Sequence, residues 1–223
     1  PKSIVRDMYE RFISFDDYVR ELKIASIEGQ LLRYLSSAYK TLIQTVPETA
    51  KTDEVFEVIA YLRTMLERVD SSLVREWERM ADVESEETNE DAGERPVDIS
   101  KHTRTFHARI RAEMHAIIRA LSRQDYEALE GLVLQEEGAL WEAGDVGRAM
   151  APFEAEHGRV GFTHAARLSD RTTILPTGPH RWEVTQALEG STEDSLWALH
   201  ARIDLRDNTH PEGPLLTLIR IGE

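Results

Sequence analysis

Residues 81–95 read ADVESEETNEDAGER and divide the chain into two parts of different character. Apolar residues recur at helical spacing before this run, and they alternate as in strands well after it. The run holds seven acidic residues and one arginine, a net charge of −6 out of −14 for the whole chain. Because it has almost nothing apolar to bury, we expect it to stay solvated and unpacked. The sequence thus predicts an acidic flexible linker over residues 81–97, between a helical accessory domain at 1–80 and a second domain at 98–223.

The composition of the chain bounds its class. With 41% hydrophobic and 30% charged residues, it resembles an ordinary water-soluble protein. No apolar run approaches the roughly 20 residues of a spanning helix, and the N-terminus lacks a secretory pattern. We therefore expect no membrane contact and a cytoplasmic location. The chain has no cysteine, which excludes disulfides and thiolate catalysis. Since it begins at Pro1, we interpret it as a fragment of a longer protein.

The part before the acidic run is predicted to be a small bundle of helices. Ser3 is placed to cap a short helix, and Ser14 is placed to cap a long one that continues to Pro47. Thr52 is placed to cap a third helix, which apolar residues prolong to position 77. Each helix carries an apolar stripe, so the three are expected to pack together.

The second domain opens with an amphipathic helix that has a basic side. Its apolar stripe consists of Phe106, Ile110, Met114, Ile117 and Leu121. Another side, which we call the basic face, consists of Arg104, His107, Arg111, His115 and Arg119. From residue 101 to 123, six Lys or Arg residues oppose one acid, Glu113. The basic face is either a solvated surface, a surface neutralised by the acidic run, or a contact for nucleic-acid phosphates.

The rest of the second domain is predicted to turn from helices to strands. Short helices are expected at residues 125–134 and 145–156, and strands at 159–168, 171–175, 180–188, 196–205 and 215–221. Turn-forming residues separate the later strands, which favours an antiparallel meander. The expected fold class is α+β, with an N-terminal helical bundle followed by helices packed on a curved, cone-like antiparallel sheet.

Three residues are candidates for a pocket. In the predicted strand 159–168, alternation puts His164 on the same side as apolar residues, so it is either a core histidine or a group facing a cavity. In the second case Trp182 and Trp197 would line the cavity, and His164 would serve as a general base. Glu154 and His157 have a metal-ligand spacing, but no second pair supports them, and we predict no metal site. His200 falls on the wetter side of its strand and is interpreted as structural.

Several stretches resemble a known family. Residues 28–80, EGQLLRYLSSAYKTLIQTVPETAKTDEVFEVIAYLRTMLERVDSSLVREWERM, resemble the C-terminal region of bacterial DEAD/DEAH-box helicases that carry an uncharacterised C-terminal domain. PKSIVRDMYERF at the start is similar to the stretch after the motor core, and GPHRWEVTQALEG with ALHARIDL is similar to the uncharacterised domain. The order of elements after residue 100, including SRQDYEALEGL, resembles the cone-shaped fold of nuclear transport factor 2 and ketosteroid isomerase.

The helicase resemblance implies a non-catalytic accessory module of an ATP-dependent RNA or DNA helicase. The chain has no phosphate-cradling G-x-x-x-x-G-K-[ST] loop and no magnesium-holding Asp-Glu-Ala-Asp or Asp-Glu-Ala-His segment. We therefore expect no cofactor in this fragment, and ATP and magnesium only in the parent motor. The expected partner is nucleic acid, RNA in particular, or a partner protein. Two alternatives stay open: a small-molecule isomerase or dehydratase, and a homodimer formed through the sheet, with Arg202 and Arg220 meeting acids of the second copy.

Overall fold

The computed structural model describes residues 3–69, 98–136, 140–190, 196–209, 211 and 213–223. The chain divides into two compact units, Pro1–Arg95 and Pro96–Glu223. We call them the helical unit and the α+β unit, and each is treated by itself. The predicted linker at residues 81–97 and the extension of the third helix to residue 77 lie outside the described residues.

The helical unit contains four described α-helices. They are α1 (Ile4–Arg11), α2 (Phe15–Leu22), α3 (Glu28–Gln44) and α4 (Asp53–Val69). The hydroxyl of Ser3 accepts a hydrogen bond from the backbone N–H of Arg6, and the hydroxyl of Ser14 accepts one from Asp17, both at 3.2 Å. The hydroxyl of Thr52 accepts from the backbone N–H of Val55 at 3.4 Å. The three predicted caps are thus confirmed.

The long second helix expected from Ser14 to Pro47 is wrong, because the chain breaks after Leu22. Lys23 adopts a left-handed conformation with φ of 56°. Its N–H bonds to the carbonyl of Arg20, and the N–H of Ile24 bonds to that of Val19, which closes α2. A 3-10 turn, Ala25–Ile27, leads into α3. Apolar spacing continues across the break, but the side chains of Leu22 and Ile27 are exposed, so periodicity there did not reflect burial.

The core of the helical unit lies between α3, α4 and the two short helices. Leu35 of α3 and Leu62 of α4 are fully buried. The phenol of Tyr61 donates to the carbonyl of Ile13 at 2.6 Å, which fixes the turn between α1 and α2 against α4. The ring of Phe12 lies 4.9 Å from that of Tyr61, centroid to centroid. Short helices that are marginal alone are thereby stabilised by packing on a longer one.

The α+β unit begins with helices and ends in a sheet. Helix α5 spans Thr103–Ser122 and α6 spans Ala143–His157. The helix expected at 125–134 is only a 3-10 segment, Glu127–Gly131. The strands are β1 (Thr172–Gly178), β2 (Arg181–Ala187), β3 (Ala198–Asp204) and β4 (Thr217–Gly222). Neighbours pair antiparallel in the order β1-β2-β3-β4, so the meander and the α+β class are confirmed.

The strand expected at residues 159–168 is wrong. Only Gly161 forms an isolated antiparallel bridge, to Glu189, and Ala165–Arg167 is a 3-10 turn. The carboxylate of Glu189 accepts a hydrogen bond from the backbone N–H of Thr163 at 2.9 Å and another from the hydroxyl of Thr163. A Cβ on Gly161 would lie 2.6 Å from that carboxylate, so a larger residue there would displace the Glu189 side chain. Side-chain bonds thus replaced the strand ladder that alternation suggested.

The inner side of the sheet packs on both helices of the α+β unit. Trp182 of β2 contacts Phe106 of α5 at a centroid distance of 4.7 Å. Trp197, just before β3, contacts Phe153 of α6 at 5.6 Å. These residues belong to, or pack against, one core that includes apolar residues of β2, β3 and β4, and Ile174 of β1 packs against it.

The two outermost strands of the sheet are protected along their edges. The indole N–H of Trp141 donates to the carbonyl of Leu218 in β4 at 2.8 Å, and the N–H of Leu134 donates to the carbonyl of Leu216 at the same distance. At the other margin, β1 contains Pro176, which has no N–H to offer. In the described ranges, no helix has both the length and the hydropathy to cross a membrane.

Candidate functional site

Helix α5 is the element on which the candidate site depends. The five residues of its predicted apolar stripe are all buried, so the amphipathic interpretation is confirmed. Residues on its other sides are buried as well, including Ala108 and Ala112. The helix is therefore enclosed over most of its circumference, and only a narrow strip of it reaches solvent.

The structure separates the members of the basic face by exposure. Arg104 is exposed, whereas His107, Arg111 and Arg119 are half-buried. His115 is only 5% exposed. Its inclusion in a phosphate-contacting surface is therefore wrong, because its position on the helix turns it into the interior. The accessible part of the basic face consists of three arginines and His107.

The charged forms of the two histidines of the basic face are disfavoured. Burial lowers the pKa of His115 to about 3, and the charges of Arg167 and Arg111 act in the same direction. Burial also lowers the pKa of His107, with a further contribution from Arg111. The permanent positive charges of the basic face are therefore those of its arginines.

Arg167 is distant in sequence but lies near helix α5. It belongs to the 3-10 turn Ala165–Arg167, and its charge acts on His115 together with that of Arg111. Its guanidinium lies 5.7 Å from the ring centroid of Phe162, a cation–π arrangement. Sequence reasoning missed it because the segment was assigned to a strand, and no local pattern indicates which helix a turn will approach.

Glu113, the one acid of helix α5, is withdrawn from the surface. It is 6% exposed and accepts a hydrogen bond from Arg109, itself 5% exposed, at 3.1 Å. Its other oxygen accepts from the N–H of Leu215 at 2.8 Å, while Arg109 donates to the carbonyls of Gly213 at 2.7 Å and Pro211 at 3.3 Å. This buried pair attaches the segment before β4 to the helix. With Glu113 buried, the charged side chains of α5 that lie outside the interior are all basic.

The structure does not bring the three pocket candidates together. His164 is exposed, at the start of the turn that replaced its predicted strand, so both interpretations, as a core histidine and as a cavity-facing base, are wrong. Trp182 lies opposite Ile203 near one end of the β2–β3 pairing. Trp197 lies at the other end, one residue before Ala198, which is opposite Ala187. At about 3.4 Å per residue, six residues put the backbone positions of the two tryptophans roughly 20 Å apart. They contribute to two ends of one core.

Glu154 and His157 are occupied by structural contacts. One oxygen of Glu154 accepts from the phenol of Tyr126 at 2.6 Å and from the amide of Gln124 at 3.0 Å. Burial and this carboxylate raise the pKa of Tyr126 to about 12. The His157 ring packs on Phe153 at 5.0 Å. Within the described ranges, no group of three or more His, Asp or Glu side chains is arranged to hold a metal ion.

The solvent-facing side of the sheet carries a second set of charges. Arg202 donates to Glu136, whose pKa is lowered chiefly by that bond. Arg220 donates from Nη2 to Nε2 of His200 at 3.0 Å. Arg202 thus has an acidic partner within its own chain, whereas Arg220 donates to a histidine. A homodimer through this side stays a prediction.

A comparison with protein families identifies the class of the chain. The family described as a domain of unknown function (DUF3516) matches residues 1–221, so the chain belongs to that family over nearly its whole length. No curated protein and no solved structure matches the chain. The resemblances to a helicase C-terminal region and to the cone-shaped fold stay predictions.

Proposed function

We propose that this member of the DUF3516 family is a non-catalytic accessory module of an ATP-dependent helicase and contacts single-stranded RNA. Helix α5, with Arg167 beside it, provides the contact. Arg104, Arg111 and Arg119 meet phosphates of the strand, and ATP hydrolysis belongs to the parent motor. The helicase connection depends on the resemblance of residues 28–80, and the contact depends on the geometry of α5.

The observation that carries the proposal is the separation of charge on α5. The helix has one carboxylate, and that carboxylate is buried in a pair with Arg109. Four further arginines, Arg104, Arg111, Arg119 and the adjacent Arg167, lie at positions that are exposed or half-buried. A basic strip maintained in an acidic protein fits a polyanionic partner.

Titration of fluorescently labelled single-stranded RNA tests the proposal. Binding should weaken steeply between about 50 and about 200 mM salt, since phosphate contacts release counterions. The triple variant Arg104→Glu, Arg111→Glu, Arg119→Glu should lose most of the affinity. It should also flatten the plot of log affinity against log salt by about 2 units, the value for three contacts on a single strand.

A matched control carries the same change in net charge elsewhere. Arg6, Arg20 and Arg148 are exposed and pair with acids one turn away on their own helices, so replacing all three with Glu should cost little stability. This variant should bind RNA with a salt dependence like that of the unchanged protein. No binding by the unchanged protein at low salt, or equal losses in both triple variants, would contradict the proposal.

A further inference from the structure

We propose that the solvent-facing side of the sheet binds a phosphate group at Arg220, which ends a row of four side chains, Thr173, Thr185, His200 and Arg220. We call these residues the outer row. When the phosphate belongs to a nucleic-acid strand, this site is a second contact for the strand besides helix α5. To that extent the inference rests on the proposed function. The same chemistry also suits a free phosphate, and the experiment separates the two sources.

The strand register brings the outer row together. Thr173 of β1 pairs with Thr185 of β2, Thr185 pairs with His200 of β3, and His200 pairs with Arg220 of β4. Paired residues on neighbouring strands lie on the same side of a sheet, and strands are about 4.8 Å apart. The row therefore crosses all four strands over roughly 14 Å.

Burial shows which way the outer row faces. Val184, Leu199 and Ala201, the sequence neighbours of Thr185 and His200, are at most 3% exposed and point into the core. Thr173 and Arg220 are exposed, and Thr185 and His200 are half-buried. The row is thus open to a ligand from solvent and has the core directly behind it.

A chain of hydrogen bonds orients Arg220. A guanidinium only donates, so Nε2 of His200, 3.0 Å from Nη2 of Arg220, must be the unprotonated ring nitrogen. The ring proton then lies on Nδ1, which is 3.4 Å from the hydroxyl of Thr185. Burial lowers the pKa of His200, and the charge of Arg220 lowers it further, in keeping with a neutral ring. The histidine therefore positions the guanidinium without cancelling its charge.

Arg220 differs from the arginines of β2, of β3 and of the turn after β3 in the partner of its guanidinium. Arg202 pairs with Glu136, and Arg181 and Arg206 both pair with Asp204. In the part of the chain that the structure describes, no carboxylate forms an ion pair with Arg220. An exposed guanidinium that is oriented but not neutralised is a receptor for an anion.

The neighbours of Arg220 select the kind of anion. The outer row contains two threonine hydroxyls and no acid, so it offers hydrogen-bond donors at more than one point along the sheet. A phosphate group presents several acceptor oxygens in different directions and accepts charge-assisted hydrogen bonds from a guanidinium. It therefore suits the row better than a single neutral acceptor does.

NMR of the His200 ring in the full chain tests the inference directly. The His200→Gln spectrum assigns the ring signals, and the probes are inorganic phosphate and a short oligouridylate at constant pH and ionic strength. Both probes should shift the His200 signals. In Arg220→Gln the affinity for phosphate should fall about tenfold or more, the effect of losing one hydrogen bond to a charged group. Arg206→Gln, which alters an arginine already paired with Asp204, should leave it unchanged.

The outcomes separate this inference from the proposed function. If RNA binds but neither probe shifts the His200 signals, the outer row is no phosphate site and the helix contact stands. If phosphate shifts them and RNA does not bind at all, the row is a site for free phosphate and the proposed function fails. Equal affinity for phosphate in Arg220→Gln and the unchanged protein overturns the inference, as does an equal loss in Arg206→Gln.

Discussion

His115 lies in the interior of the α+β unit although it shares a helix with accessible arginines. Its pKa in the folded chain is lowered to about 3, against about 6.5 for an unperturbed histidine. Between these values the unfolded chain binds a proton that the folded chain does not. Above about pH 6.5 His115 is neutral in both states and does not change the free energy of unfolding with pH. Below that value the free energy of unfolding falls as pH decreases, by up to about 1.4 kcal/mol per pH unit.

Replacing His115 should remove this pH dependence. In His115→Gln, the free energy of unfolding should fall less steeply from pH 6.5 to pH 4 than in the unchanged protein. Urea unfolding at several pH values measures it, followed by tryptophan fluorescence in a Trp77→Phe background so that Trp141, Trp182 and Trp197 report on the α+β unit alone. His164→Gln, at an exposed site, serves as the control. Identical slopes in His115→Gln and the unchanged protein would show that His115 titrates normally.

The pair of Arg109 and Glu113 connects one element, α5, to the segment that leads into another, β4. Glu113→Leu removes the acceptor of the Leu215 N–H and leaves Arg109 buried without its carboxylate. We expect a loss of about 3 to 5 kcal/mol in the free energy of unfolding. The double variant Arg109→Met, Glu113→Leu should cost less than the sum of the single variants, because no buried charge is left uncompensated.

An exposed pair in the same unit provides the comparison for this prediction. Arg148 and Asp145 are neighbours on the surface of α6, and Arg148→Met should change the free energy of unfolding by about 1 kcal/mol or less. The same fluorescence measurement applies to all four proteins. A loss under about 1 kcal/mol in Glu113→Leu would mean that the pair is not a structural connection between α5 and the segment before β4.

The elements differ in how well sequence periodicity predicted them. Strands β2 and β3 followed from alternation, because one side of each is buried against helices. The break at Lys23 was not predictable from apolar spacing, since Leu22 and Ile27 keep the helical period without being buried. The segment 159–168 alternates equally well, but the bonds of Thr163 to Glu189, 26 residues away, determine its path. Local patterns contain no information about such distant partners.

The same limit applies to the candidate site. The basic composition of α5 was visible in the sequence, because it depends on residues within one helix. The inward position of His115 was not, since it depends on what covers that side of the helix. The outer row was missed because it joins four strands whose register is set only in the folded sheet.

The whole molecule consists of two compact units, and the α+β unit has a core of its own. All members of that core lie between Phe106 and Ile221. We expect residues 98–223, produced alone, to fold and to unfold cooperatively with a urea midpoint close to that of the same unit in the full chain. Tryptophan fluorescence and amide dispersion in NMR spectra measure this. A fragment without a cooperative transition would show that its core depends on residues before position 98.

The protected edges of the sheet have a consequence for how the protein behaves when it is concentrated. Fibril growth by strand addition needs an edge whose amide and carbonyl groups are still available to a new chain. On β4 the carbonyl of Leu218 is already bonded to Trp141, and on β1 Pro176 interrupts the line of donors. Neither margin is a good template for another chain, so crowding in a cell should not convert this sheet into amyloid.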